Sequence, residues 1–177
     1  MSAENELIAQ ARRGDARATD DLIMLWQPRI LRFGVRICRS EEDARDVLQE
    51  TLLAALQGLS EFRGEAAPST WLFQIARSHC TRARRGAMSR APMLGIEALE
   101  HAHDEAASPE DLAHARQLGS RIAVALAKLR PVHREAIVLR DIEGLSAAEA
   151  AAIAKTDVPA LKSRLHRARA ELRAMLR

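Results

Sequence analysis

Apolar residues in this chain recur at three- and four-residue steps and nowhere alternate, a period that restricts the chain to helices packed on helices. Ile23, Trp26, Ile30, Phe33 and Ile37 mark one face of a helix over about 16–38. Ser40 then stands as an N-cap, with Glu41, Glu42 and Asp43 in the first turn where acids suit the helix dipole. The helix it starts buries Ala44, Val47, Leu48, Thr51, Leu52, Ala55 and Leu56, and Gly58 marks its end. Leu118, Ile122, Ala125 and Leu129 trace a further stripe. Pro131 suits the first turn of a helix that should stop at Gly144. Aromatic residues make up only 3% of the chain against 47% apolar, so Leu, Ile, Val and Ala must do the packing, which again favours helices. The expected fold is all-α.

Charge divides this helical chain into blocks. Residues 66–86 hold Arg77, Arg82, Arg84 and Arg85 with no acid, whereas 87–112 hold one arginine against six acids. The final block, 113–177, is strongly basic. The acidic block also contains Pro92, Gly95, Ser108 and Pro109 and shows little sustained helical period. It reads as a flexible linker, 87–111, between two small helical domains, 1–86 and 112–177. A net charge of +3 permits a nucleic-acid partner without requiring one.

The sharpest local signal lies near the C-terminus. Ser146-Ala147-Ala148-Glu149 has capping-box spacing, a short Ala-rich helix follows to about 154, and Asp157 caps a long last helix after a turn at 155–157. Leu161, Leu165, Ala168 and Leu172 form the buried face of that helix, with Ser163 and Arg167 opposite. Two helices joined by a tight turn, the second basic outside, describe a helix-turn-helix. Arg167 is placed to bond a guanine edge bidentately, while Lys162, Arg164 and Arg169 are placed to neutralise phosphates. An Arg-rich solvated helix shows the same pattern.

The run Leu145 to Arg169, LSAAEAAAIAKTDVPALKSRLHRAR, closely resembles region 4 of the extracytoplasmic-function (ECF) sigma factors. The resemblance implies minus-thirty-five promoter contacts by Lys162, Ser163, Arg164, His166 and Arg167. Lys155 occupies a turn position where that family commonly has Gly. If the turn needs a positive φ, Lys there costs about 1 kcal/mol.

Asp43 to Thr51, DARDVLQET, resembles region 2.2, the family's docking helix for the β′ clamp of core RNA polymerase. Asp43, Asp46 and Glu50 recur at i, i+3 and i+7 beside Gln49 and Leu53, an acidic and apolar stripe suited to a basic helical partner. A solvated surface shows the same acids. Phe62 to Leu72, FRGEAAPSTWL, resembles the region 2.3 loop and the start of the helix after it. The resemblance implies minus-ten contacts by Arg63, Gly64, Trp71, Gln74, Arg77, Ser78, Arg82 and Arg85, the loop holding an unstacked base and the arginines gripping phosphates. Trp71 is ambiguous, since a tryptophan beside a loop is more often core than stacking platform. Leu72, Ile75, Ala76, His79 and Ala83 form the inward face.

Together these matches imply an alternative sigma factor that binds core RNA polymerase, through the β′ clamp and β flap, and directs promoter-specific initiation. An anti-sigma factor is the further partner implied. Two other classes compete on the residues alone, a stand-alone helix-turn-helix regulator and a basic interaction module without polymerase. No nucleotide loop, nucleophile elbow or zinc-protease helix is present, so no enzyme and no cofactor is expected. His101, His103 and His114 imitate a metal set, yet they lie in or beside the linker without a scaffold, and no metal is expected. Cys38 and Cys80, the only cysteines, offer no disulfide framework and read as buried helix residues, with redox sensing the minor option. Neither a signal peptide nor an 18-residue apolar run is evident, and the expected location is cytoplasmic without membrane insertion.

Overall fold

The computed structural model describes residues 3–38, 40–86 and 109–177 of the chain. Most of the linker inferred over 87–111, with His101 and His103, therefore lies outside the described residues. Among the described residues all regular structure is helical. The helices are α1 (Ala3–Arg12), α2 (Ala16–Ile37), α3 (Glu41–Gly58), α4 (Pro68–Gly86), α5 (Pro109–Lys128), α6 (Pro131–Ile137), α7 (Ala147–Ala154) and α8 (Val158–Leu176). A 3-10 turn, Leu59–Glu61, follows α3.

In the first half, α2 packs on α3 and α4 while α1 lies along α2. Trp26, Ile30 and Phe33 of α2 are fully buried, as the periodicity predicts. Ile23 is only half-buried, because the stripe turns towards Leu22, which is enclosed. Ser40 caps α3 as expected, its hydroxyl accepting from the Asp43 N–H at 3.0 Å. Ala44, Val47, Thr51 and Ala55 are buried beneath that helix. Gly34 is what lets α2 approach it, since a Cβ there would fall 3.3 Å from the Ala44 Cβ. The helix α1 carries no strong periodic signal, yet it is fastened at both ends. The Trp26 indole donates to Glu4 at 2.8 Å, and the Arg12 guanidinium donates to the Phe62 and Ser60 carbonyls.

Cys38 ends α2 and Cys80 sits within α4, and they form one disulfide between Cα atoms 5.5 Å apart. The expected burial holds, at 3% and 0% exposure. The reading of them as separate packing residues does not. Forty-two positions separate them in sequence, and only the α2–α4 packing brings the two faces together.

In the second half, α6 passes into a π-helical turn, Val138–Ile142, before Gly144 (φ +68) stops it. Gly144 is the predicted stop, but nothing in the sequence announced the widened turn. The α5 stripe is corrected in part. Ala125 and Leu129 are buried as expected, with Ala123 and Leu126 beside them, whereas Leu118 is 52% exposed and Ile122 36%. The helix-turn-helix follows the predicted pattern closely. Ser146 and Glu149 close a full capping box, and the Asp157 carboxylate accepts from the Ala160 N–H. Leu161, Leu165 and Ala168 are buried under α8, with Leu172 partly covered.

Between α7 and α8, Lys155 adopts φ 49° and ψ 54°, the left-handed conformation anticipated for this turn. A Cβ clashes with the backbone there, and glycine has none. Lys155→Gly is expected to stabilise the chain by up to about 1 kcal/mol, read as a higher unfolding midpoint in denaturant. A lower midpoint would show that the Lys155 side chain contributes more at the α4–α7 contact than the turn loses in strain.

The two halves are packed on each other, α4 against α7 and α2 against α6. No sequence signal foretells such an interface, because its polar contacts join segments far apart in the chain. Arg77 pairs with Glu135 and donates to the Ala154 carbonyl at 3.1 Å. Thr70 donates to Glu149 at 3.0 Å, and Arg36 meets Glu143 at 3.4 Å.

Candidate functional site

Three faces gather the residues singled out from the sequence. On α3, Asp46, Gln49, Glu50 and Leu53 are exposed and Asp43 is half-buried. Leu53 is 59% exposed, a large apolar group set among carboxylates. Such a surface suits a partner that is itself part basic and part apolar. Glu50 is not isolated on this face, because its carboxylate meets Nδ1 of His79 on α4.

The second face is that of α4 and the loop before it. Arg63 and Gly64 are exposed in the loop, and Gln74, Ser78 and Arg82 are exposed along the helix. The backbone of Arg85 continues α4, while its side chain lies outside the described residues. Trp71 resolves towards packing. It is half-buried, its ring 5.0 Å from that of Phe62 and 6.2 Å edge-on from that of Trp26. Its neighbour Phe73, which the sequence reading passed over, is buried against Phe33. Arg77 is drawn inward, where its partner Glu135 is only 8% exposed.

Helix α7 packs along one side of this α4 face, which leaves Gln74, Ser78 and Arg82 exposed. A cavity between the two helices is lined by Trp71, Gln74, Ser78, Ala152, Ile153 and Lys155. A second cavity reaches Arg82 and Thr81. In this arrangement the basic helix presents Gln74, Ser78 and Arg77 to the chain's own C-terminal half. The Glu135 carboxylate holds the Arg77 guanidinium against that half.

Electrostatics at the interface differ between its two ion pairs. Burial pushes the Glu143 carboxyl above its ordinary value, with Arg36 opposing. Burial likewise lowers the Arg36 guanidinium, with Glu143 opposing. For both partners desolvation is the larger effect, so this pair adds little to closure. Arg77–Glu135 has the stronger geometry, because Arg77 also satisfies a backbone carbonyl that would otherwise lose water. Hydrogen bonds to Ser146 hold the Glu149 carboxyl below its ordinary value.

The third face is α8. Lys162, Ser163, His166 and Arg167 are exposed and Arg164 is half-buried. Arg169, its side chain 51% exposed, also has a partner within the chain. It forms a two-pronged pair with Asp141 of the π-helical turn, at 2.9 and 2.6 Å, which raises its already high pKa. His114, the one described member of the histidine set, is exposed on α5.

Sequence comparison bears directly on these faces. The Sigma-70 region 2 family profile matches residues 22–90 and the Sigma-70 region 4 profile matches residues 120–172. The RNA polymerase sigma-H factor of Pseudomonas aeruginosa is 33% identical over 94% of this chain and 90% of its own length. The ECF RNA polymerase sigma-E factor of Escherichia coli K12 is 31% identical over 92% of this chain and 88% of its own. The chain belongs to the ECF sigma factors of the sigma-70 family.

Solved structures agree with that assignment. CnrH, solved in complex with the cytosolic domain of CnrY, superposes on this ECF sigma factor with a TM-score of 0.72 and 31% identity, covering 99% of this chain and 97% of CnrH. The sigma factor RpoE of Bartonella quintana shares the fold at a TM-score of 0.71 and 24% identity, over 89% of this chain and 95% of its own. The α3 and α4 faces fall within the region 2 match, and α7 and α8 within the region 4 match. The chain is thus an alternative sigma factor, a subunit that directs promoter-specific initiation. Among the described residues, no helix is long and apolar enough to cross a membrane.

Proposed function

We propose that the three faces divide the work of initiation. Asp43, Asp46, Gln49, Glu50 and Leu53 dock on the β′ clamp of core RNA polymerase. The Arg63–Gly64 loop with Gln74, Arg77, Ser78, Arg82 and Arg85 engages the minus-ten element. Lys162, Ser163, Arg164, His166 and Arg167 read the minus-thirty-five element from duplex DNA, while the C-terminal domain rests on the β flap. An N-terminal domain, 1–86, and a C-terminal domain, 112–177, carry these faces. The protein performs no chemistry of its own and acts in the cytoplasm, where promoter DNA and polymerase are found. Trp71 contributes by packing under the loop rather than as an exposed stacking platform.

The observation that carries this reading is the division of α8. Leu161, Leu165 and Ala168 are buried while Lys162, Ser163, His166 and Arg167 on the outer surface are exposed. A helix so divided, behind a capped helix and a tight turn, suits the major groove. In vitro transcription with purified core polymerase over a library of upstream promoter variants tests it. Arg167→Ala is expected to cost roughly 1–3 kcal/mol at one base position and little elsewhere. A uniform loss over all variants would make Arg167 a phosphate contact instead.

Closure of α4 under α7 also supports an inhibitory protein partner, an anti-sigma factor that holds the two halves together while the protein is idle. CnrH was solved with the cytosolic domain of CnrY, and it is similar to this chain over nearly its full length. A partner spanning both halves would gain from their linkage and would compete directly with polymerase.

A further inference from the structure

We propose that Cys38 and Cys80 form a reversible disulfide that staples the α2–α3 corner to α4, so that the stability of the N-terminal helical unit follows the surrounding thiol–disulfide balance. The inference goes beyond the sigma-factor reading and does not depend on which residues touch DNA.

The two cysteines are the only ones in the chain, so no third thiol competes for either. They come from different helices with Cα atoms 5.5 Å apart, inside the roughly 4.4–6.8 Å range that a bridge spans without moving backbone. Their surroundings explain what a bridge would hold. Cys38 closes α2, and two residues later Ser40 caps α3, the helix with the acidic docking face. Cys80 follows His79, which pairs with Glu50 of α3, and precedes Thr81 and Arg82 on the basic side of α4. One covalent link therefore joins the start of the acidic helix to the middle of the basic one. Transcription proceeds where small thiols keep most cysteines reduced, and disulfides in such compartments are usually transient and redox-responsive.

The oxidant required is the disulfide of a low-molecular-weight thiol. One cysteine thiolate attacks a sulfur of that disulfide and expels a thiolate, leaving a mixed disulfide. The second cysteine attacks the protein sulfur of the mixed disulfide and expels the other small thiolate. Two protein S–H bonds are lost, one S–S bond forms, and the oxidant leaves as two thiols. Excess small thiol runs the same steps backwards. Both sulfurs are enclosed, so exchange proceeds by local opening at the corner, where Cys38 already lies outside the helix. The closed loop restricts the unfolded chain far more than the folded one.

The test uses the full chain in buffers of graded reduced and oxidised glutathione, quenched with acid, alkylated in denaturant and weighed by mass spectrometry. In the oxidised arm the chain should take up no alkylating agent, run as a monomer and weigh less by its two thiol hydrogens. Its urea midpoint should rise by about 1 M or more, and dithiothreitol should reverse the change. Cys38→Ala and Cys80→Ala should each unfold at the same midpoint in both buffers. If either variant fails to fold, the wild-type arms still decide. Two alkylated cysteines after oxidation, a stable glutathione adduct in place of the bridge, or a bridge with an unchanged midpoint would each overturn the proposal. Transcription by the reduced protein is measured alongside, and its loss would count against the sigma-factor assignment rather than against the bridge.

Discussion

Glu135→Gln should raise the affinity of the free chain for a single-stranded minus-ten oligonucleotide by about ten- to a hundredfold. The carboxylate is 8% exposed and holds Arg77, which also donates to the Ala154 carbonyl of α7. Hydrogen bonds to charged groups contribute about 1.5–3 kcal/mol. The amide keeps the shape of the side chain and removes its charge, so this contribution to closure falls while Arg77 stays available for phosphate. When only a fraction of molecules is open, apparent affinity scales with that fraction, so a weaker latch reads directly as tighter binding. Arg77→Ala serves as the contrast. It also loosens the interface, but it deletes the proposed phosphate contact, so its affinity should gain far less. Binding followed by fluorescence anisotropy at fixed salt separates the two variants. Equal affinity in wild type and Glu135→Gln would mean that the latch does not control access to α4.

The second large effect concerns α3. Reversing Asp46 and Glu50 together to Lys is expected to weaken holoenzyme formation by about thirtyfold or more, corresponding to about 2 kcal/mol at a charged interface. Both side chains are exposed, and the Glu50–His79 pair is a surface contact of small value, so helicity and unfolding midpoint should change little. Leu53→Ala should then add a loss that salt does not modulate, because its contribution is apolar. Affinity is read by titrating core polymerase with labelled chain. An unchanged affinity in the double reversal would move the docking surface away from α3.

Much of this fold is legible in the sequence because its signals are local. Ser40, Ser146 with Glu149, and Asp157 each satisfy backbone donors within three residues, and a cap so close in sequence needs no knowledge of the rest of the chain. The left-handed turn at Lys155 is of the same kind. What escaped the sequence depends on approach between distant segments. Arg77 and Glu135 lie 58 positions apart, Arg36 and Glu143 107, and Cys38 and Cys80 42. Each of these residues has an unremarkable reading by itself. The error in α5 has another cause. Leu118 and Ile122 are large and apolar and so drew the first half of the stripe outward, while its second half, Ala125 and Leu129, is buried as expected beside Ala123 and Leu126. For the candidate site, the motif residues lie on α3, on α4 with the loop before it, and on α8. They carried no information that α7 packs against one of these helices.

The pairing of Arg169 with Asp141 bears on how such proteins diverge. The aliphatic underside of α8 sets its depth, and this two-pronged clasp near the middle of the helix sets its rotation about its own axis. Position and heading are thus secured by residues that need never touch a base. The outer positions, Lys162, Ser163, His166 and Arg167, are relieved of any duty to the fold. Substitutions there should alter which upstream sequence is preferred while leaving the thermal midpoint almost unmoved. A duplicated gene can therefore drift to a new set of promoters by single steps, without first passing through an unstable protein.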